Sequence, residues 1–595
     1  MSKLPWVVVA LLGLIVVPSF LRRDSRAQST AATAGADNSL AAWNALVDRY
    51  FDDYFAFNPT AGTSAGFHEY DSRVEDYSGG AVEREIAAMH AWEARVEAFD
   101  SKGLDETTAA DHELLLATIR STLLSLETIR SWKKNADVYS SGVTESAFYI
   151  MMRKFAPTDE RLRSLVSREK QMPAVFAAAR ENLKNPPQIY TEIAIEQIPG
   201  MLSFFQNDVP AAFADASDPA TKQEFATSNA AVIAALTSYG EWLKTDLLSR
   251  SHGDYRIGAA TFSKKLLYDE MVDTPLDKLL EIDRANMKQN QEEFKRIARE
   301  LEPTKTSEQV LAELEADHPK PDQLLQAFRD TFDGLVAFIR QKHIITIPSD
   351  LRPIVEETPP FGRALSTASM DTPGPYEKVA KEAYFNLTLP GPNDTPEEIE
   401  GRMEDFNVGT IISTAVHEAY PGHYVQFLWT PQAPTKIRKL LGAATDVEGW
   451  AHYCEQMMLD EGYGQPGAGP KDERESKLIR LGQLQDALLR NARFVVGIQM
   501  HRGSMTFDQG VEFFEKEGYQ THQIGLVETK RGTSNPTYLY YTLGKLEILK
   551  LRADVEKKQG AAFSLQKFHD DFMRQGFPPI KIVRKAMLGD DSPAL

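Results

Sequence analysis

Cysteine is nearly missing from this sequence: a single thiol, Cys454, stands in 595 residues. One thiol closes no internal disulfide and builds no thiolate-rich zinc site. The fold must therefore be held by its core, and any metal must take histidine and carboxylate ligands. Concentrated positive charge is missing too. Lys and Arg number 66 against 85 Asp and Glu, a formal net charge of −19, and dense basic stretches such as Lys436-Ile-Arg-Lys439 are short and isolated. Nucleic acid wants a concentrated basic surface, so it is excluded as a partner. No segment beyond the N-terminus is apolar enough to cross a bilayer, which excludes a multi-pass membrane protein. What remains is an ordinary globular composition, 42% hydrophobic and 25% charged. At this length the expectation is about two to four lobes or one large helical body.

The N-terminus carries an address. Met1-Ser-Lys3 supplies positive charge, Trp6 to Phe20 is nearly all apolar, and Leu21-Arg-Arg23 closes the run. Ser25-Arg-Ala27 then offers small residues where a signal peptidase requires them. This order reads as a secretory signal peptide over residues 1–27, which places the mature protein in the periplasm or outside the cell, with no stable membrane insertion after cleavage. The alternative is a single N-terminal anchor, for which about 15 apolar residues fall short of the roughly 20 that a span needs. No cysteine for lipid attachment lies near the run. Residues 28–38 are small and polar and read as a flexible leader.

Beyond the leader the hydrophobic period is helical. Leu40, Trp43, Leu46, Val47 and Tyr50 recur at three-to-four spacing, and the same period returns over 88–99, 112–126, 161–185, 211–248, 276–301 and 321–343. Strand signals are few, the better ones being 343–348 and 384–389. Six prolines between Ile347 and Pro375 break the periodicity. The expected fold is mainly α: a large two-lobed helical body with a few short strands. An N-terminal lobe over 39–346 would join a C-terminal lobe over 376–595 through an irregular connection, 347–375.

Chemistry concentrates in Thr414-Ala-Val-His-Glu-Ala-Tyr-Pro-Gly-His-Tyr424. Neutral imidazoles at His417 and His423 are zinc-ligand types, and Glu418 beside the first can take a proton from a metal-activated water. Zinc-hydrolase helices usually space the two histidines four apart; here the spacing is six, which on a regular helix leaves them roughly 120° apart. Pro421 cannot continue a helix, and Gly422 tolerates unusual backbone angles. The helix must therefore distort inside the motif, which can return His423 to the side of His417. Glu448, 25 residues on, can supply a third ligand from a second helix and leave a fourth position for water. His452 and Glu455 share its helical face and suit supporting or substrate roles, with His452 the rival ligand. Cys454 falls on another face and reads as packing.

His417-Glu-Ala-Tyr-Pro-Gly-His423 followed by Glu448-Gly-Trp-Ala-His-Tyr-Cys-Glu455 resembles the bacterial DUF885 proteins. Glu528-Thr-Lys-Arg531, Pro536, Tyr541 and Gly544 match that family's C-terminal signature, and Asn58-Pro59 to Gly66 with Tyr70-Asp71 its N-terminal one. Tyr538 departs from it, standing where glutamine is expected. The resemblance spans roughly residues 40 to 590. It implies a gluzincin-like zinc metallopeptidase, helical and two-lobed with a deep central cleft, acting on peptides. In that light Tyr541 is the candidate to stabilise an oxyanion. Arg531 and Arg552 are candidates to bind a peptide carboxylate, although surface salt bridges explain them equally. Asn386 lies in Tyr384–Leu387, a candidate edge strand for an extended peptide. The rival functions are a metal-dependent hydrolase of other amides or esters, and a non-enzymatic periplasmic binding protein with a structural or degenerate metal site. Oligomeric state is not encoded in these features.

Overall fold

A computed structural model describes residues 39–359, 363, 367–391, 394–469 and 472–595. The signal peptide and leader expected over 1–38 lie outside them. Helices dominate, and among the described residues the strands form one three-stranded sheet. No described helix is long and apolar enough to cross a membrane.

The chain divides into two compact units. One runs to Gly253 and takes in Tyr376–Ala380; the other comprises Asp254–Pro375 and Lys381–Leu595. The division thus falls well before the proline-rich stretch where the loss of periodicity suggested it. The reason is packing: helices of 276–301 and 324–342, assigned from sequence to the first lobe, bury their apolar faces in the core of the second unit.

The first unit is helical throughout and organised around buried polar groups. Arg168, fully buried, donates from Nε to the Asp71 carbonyl at 2.7 Å and from Nη2 to Thr63 Oγ1 at 2.6 Å. It thereby ties the Pro59–Ala65 helix and the turn after it to Thr158–Glu169. Three carboxyls of this unit are pushed well above the ordinary carboxyl range. Burial first, then the charge of Glu75, pushes Glu85 up to about 8, and both its oxygens lack a hydrogen-bond partner. Burial raises Glu169 to about 8 against the lowering bond from Ser228; burial with Asp137 and Glu75 raises Glu145 to about 7.

In the second unit, the sheet order is β1-β3-β2, from Ile354–Glu357 (β1), Ala368–Asp371 (β2) and Tyr384–Leu387 (β3). β1 runs parallel to β3, with Ile354 opposite Tyr384, and β2 runs antiparallel, with Ala368 opposite Leu387. Two expectations are corrected here. The stretch 347–375 is not wholly irregular, since it holds β1 and β2. β3 is the central strand, with both edges paired, so it has no free edge for a peptide. Asn386 is accordingly buried in the sheet, its Nδ2 reaching only Ser369 Oγ at 3.5 Å. The segment 343–348 forms no strand either, because side chains take its backbone groups. His569 Nδ1 meets the Ile344 carbonyl at 2.7 Å, the Thr346 N–H donates to Asp570, and Trp429 donates to the Thr346 carbonyl.

Around the sheet stand eight helices that position the site. They are Leu276–Leu301 (α1), Leu324–Lys342 (α2), Val408–Glu418 (α3), His423–Trp429 (α4), Ala444–Asp460 (α5), Glu473–His501 (α6), His522–Ser534 (α7) and Tyr540–Gln559 (α8). Phe328 and Phe332 of α2 cover Phe385 of β3 at ring distances of 5.3 and 6.1 Å. α6 is central, buried on nearly every side between α1, α3 and α7. α5 and α8 pack along their length at backbone contact. A Cβ on Gly544 would lie 1.9 Å from the Thr445 carbonyl oxygen, and one on Gly449 would lie 2.6 Å from Gly544 Cα.

Two predictions follow from these interiors. Glu85, Glu169 and Glu145 titrate in the folded state above an ordinary glutamate, so each favours the folded state fully below the ordinary carboxyl range and loses the contribution as pH rises through about 7 to 8. Thermal unfolding should therefore occur at lower temperature as pH increases over that window, with a shallower slope in Glu85→Gln; an unchanged slope would refute the assignment. Gly544→Ala should destabilise the second unit by about 1–3 kcal/mol or more in denaturant titration, since rigid backbone meets the new methyl; a wild-type midpoint would contradict it.

Candidate metal centre

The first segment of the site is a broken helix. Asn407 caps α3, its Oδ1 accepting from the Gly409 and Thr410 N–H groups at 3.0 and 3.1 Å. α3 ends at Glu418 and α4 begins at His423, so Pro421 and Gly422 fall between two helices instead of within one. Gly422 N–H donates to the Val416 carbonyl at 2.9 Å. A Cβ there would come within 1.8 Å of the His417 carbonyl oxygen, so only glycine permits this fold-back. The result is the juxtaposition that a regular helix denies: the His417 and His423 rings lie 4.8 Å apart and nearly perpendicular.

Glu448 enters from α5. Its Oε2 lies 3.3 Å from Nε2 of His417 and 3.3 Å from Nε2 of His423. All three residues are buried, and one ligand atom from each falls within 4.8 Å of the others. Among the described residues no other such group occurs. Glu448 Oε2 is sealed from solvent yet makes no hydrogen bond. Two imidazole nitrogens and a carboxylate oxygen aimed at one point are the donor set of a divalent-cation site. Burial opposes the charge on Glu448, but the two imidazoles hold its carboxyl well below the usual range.

A further layer fixes these donors. His417 Nδ1 donates to Glu455 Oε1 at 2.7 Å, which leaves the Nε2 lone pair for an ion. The other oxygen of Glu455 faces His452 Nδ1 at 3.0 Å, and Arg490 Nη2 reaches Oε1 at 2.9 Å. Burial disfavours the Glu455 charge, but Arg490, His452 and His417 together hold it well below the usual carboxylate range. His452, fully buried and with Lys545 near, is pushed well down and stays neutral. It takes no place in the ligand group and sits behind it. His417 is pushed down by burial, yet the neighbouring carboxylates of Glu448 and Glu455 carry it up to about 9.

Tyr541, from α8, is the link to the C-terminal signature. Its hydroxyl donates to Glu448 Oε1 at 3.1 Å and accepts from Arg531 Nη2 at 2.9 Å. Arg493 clamps Glu528 through two bonds of 2.6 and 2.9 Å and lies 4.8 Å from the Tyr541 ring. Burial keeps the phenol protonated, outweighing the nearby Arg531. Glu418 is buried beside the trio, and no hydrogen bond among the described residues engages its carboxylate. Burial raises it, against the lowering pull of His423 and His417.

The structure thus brings together His417, Glu418, His423, Glu448, His452, Glu455, Arg531 and Tyr541. Two candidates stay outside. Arg552 lies three turns along α8, bonded to Tyr453 and to Glu461 at 2.6 Å, and Asn386 belongs to the sheet interior. Tyr538, at the position that departs from the family pattern, is fully buried and packs over Gly497 and Gly532. Arg490 and Arg493 were not foreseen. Their signal is a pair of charges flanked by the apolar Leu488, Leu489, Phe494 and Val495 on a helix otherwise poor in charge at that point.

A family model described as "Bacterial protein of unknown function (DUF885)" matches residues 59–587. Two solved structures are similar along nearly their whole length. One, a "putative lipoprotein of unknown function" from Shewanella oneidensis, is 26% identical with a TM-score of 0.75, covering 92% of this chain and 99% of that one. The other, a "putative lipoprotein" from Colwellia psychrerythraea, is 17% identical with a TM-score of 0.76, covering 92% and 98%, and supports the fold alone. No curated protein matches.

The Glu455 bridge makes a prediction about affinity. Glu455→Gln should weaken zinc binding by about 10- to 100-fold in competition with a chromophoric chelator, because His417 loses the group that orients and polarises it. Affinity equal to that of the wild type would show that the bridge is dispensable.

Proposed function

The chain belongs to the DUF885 family, and we propose that it is an exported zinc-dependent peptidase. The observation that carries this reading is the convergence of His417 Nε2, His423 Nε2 and Glu448 Oε2, with the buried carboxylate of Glu418 close enough to feel the charge of both imidazoles. Three protein ligands are the number a catalytic zinc site uses, with the fourth position open. A closed structural site would need a fourth protein donor, and His452 is committed to Glu455. Export is supported by the charged, apolar and small-residue order of 1–27, and by the description of the 26% identical structure as a putative lipoprotein.

When bound, zinc supplies Lewis acidity that polarises a carbonyl and brings the pKa of water to about 7. The chain supplies the rest. Glu418 accepts the proton of the attacking water and returns it to the departing nitrogen. Its burial raises its basicity, which suits a group that must hold a proton between two steps. His417 and Glu448 are locked by Glu455 and Tyr541, so little reorganisation is needed as charge develops. Tyr541, protonated and backed by Arg531, is a hydrogen-bond donor at the rim of the ligand group.

Purified protein loaded with zinc should cleave members of a peptide mixture, read by mass spectrometry, and chelation should abolish the cleavage. Glu418→Gln should retain zinc and lose about 10²- to 10⁴-fold in rate. A zinc-loaded Glu418→Gln protein that cleaves at the wild-type rate would remove the proposed base. Absence of any metal-dependent cleavage would remove the peptidase.

A further inference from the structure

Beside the ligand group lies a guanidinium with two nitrogens that meet no acceptor among the described residues. Arg531 is 1% exposed, and its Nη2 is spent on Tyr541, but Nε and Nη1 are sealed from solvent with no hydrogen-bond partner among the described residues. The carboxylates around it are committed. Both oxygens of Glu528 are held by Arg493, and Glu455 is shared by His417, His452 and Arg490. Glu448 gives one oxygen to Tyr541 and turns the other to the imidazoles. Three guanidinium groups, those of Arg490, Arg493 and Arg531, stand 5.7, 4.8 and 5.7 Å from the Tyr541 ring. A guanidinium in a dry interior with donors unmet is a poor resting arrangement, unless an anion arrives to meet them.

Position says which anion. Arg531 is two hydrogen bonds, through the Tyr541 hydroxyl, from the carboxylate of Glu448. Those bonds of 2.9 and 3.1 Å hold the guanidinium within about 6 Å of that carboxylate, the scale of one to two residues of chain at some 3.8 Å between consecutive Cα atoms. In a peptide, the anion that follows a backbone carbonyl by one residue, whatever the side chains, is the terminal carboxylate. Guanidinium is the side chain suited to it. We propose that Arg531 receives the C-terminal carboxylate of the substrate and that the enzyme is a carboxypeptidase releasing the last residue. This rests on the peptidase reading above. Water adds its oxygen to the penultimate carbonyl carbon, and Glu418 carries one of its protons to the terminal nitrogen. The C–N bond breaks, giving a shortened peptide and one free amino acid.

The test uses N-acetylated peptides made in pairs, one member a free acid and the other its carboxamide. Zinc-loaded wild type should favour the acid by at least about 100-fold in kcat/KM and release single amino acids, because a site built for a charged partner rejects the analogue lacking it. In Arg531→Gln that ratio should collapse towards one, mainly through KM for the acid, and Arg531→Lys should restore part of it. Binding gives a readout apart from turnover: calorimetric titration of Glu418→Gln should detect N-acetylated peptide acids and not their amides, and the added Arg531→Gln change should abolish the difference. Equal cleavage of acid and amide, or a ratio that survives Arg531→Gln, overturns the carboxylate assignment and leaves the peptidase standing. Cleavage of neither member overturns both.

Discussion

One constraint governs the centre of this protein: a carboxylate and two imidazoles are buried with their lone pairs aimed at one point. Groups of this kind repel packing, since each would be better solvated in water, and a fold keeps them inside only by giving every other face of each a partner. Glu455 and Tyr541 provide those partners for two of the three, the first for His417 and the second for the outer oxygen of Glu448, while His423 Nδ1 meets no hydrogen-bond partner among the described residues. The helices then follow. α3 and α4 must break to bring His423 round, α5 must carry both Glu448 and Glu455 on one face, and α8 must come close enough to deliver Tyr541. Gly422 makes the break, and the contact of Gly449 on Gly544 makes the approach.

Charge is arranged in shells around that point. The ligand carboxylate is met by two imidazoles, that of His417 by Glu455, and Glu455 by Arg490. On the opposite flank Arg493 meets Glu528, while Arg531 stabilises the Tyr541 hydroxyl and is left with donors to spare. The alternation explains how α6, buried almost all round, tolerates Arg490 and Arg493. It also separates two uses of a buried arginine. Arg168 in the first unit meets backbone carbonyls and a hydroxyl and holds a turn in place. Among the described residues Arg531 lacks such partners on two of its nitrogens and gives the third to Tyr541.

Much of this could be read from the residues in order. The helices of 276–301 and 324–342 announce themselves by period. The metal motif was readable because Pro421 and Gly422 are costly within a helix and informative for that reason. Three things escaped. The helix Gln188–Ser203 is apolar on most sides and contains Pro199, so its period is blurred. β1 and β2 are four residues each among prolines, too short to show alternation. The unit boundary depends on which core α1 and α2 join, a property of tertiary packing that no local pattern carries. Arg490 and Arg493 were missed for the same reason, because their partners lie 35 residues or more away along the chain.

The central claim concerns the metal, and zinc-edge X-ray absorption on the purified chain addresses it most directly. The arrangement of His417, His423 and Glu448 predicts one zinc per chain, bound by two imidazoles with oxygen donors completing the sphere and no sulfur. A chain that holds no stoichiometric metal, or a zinc bound by three or more imidazoles, would contradict it.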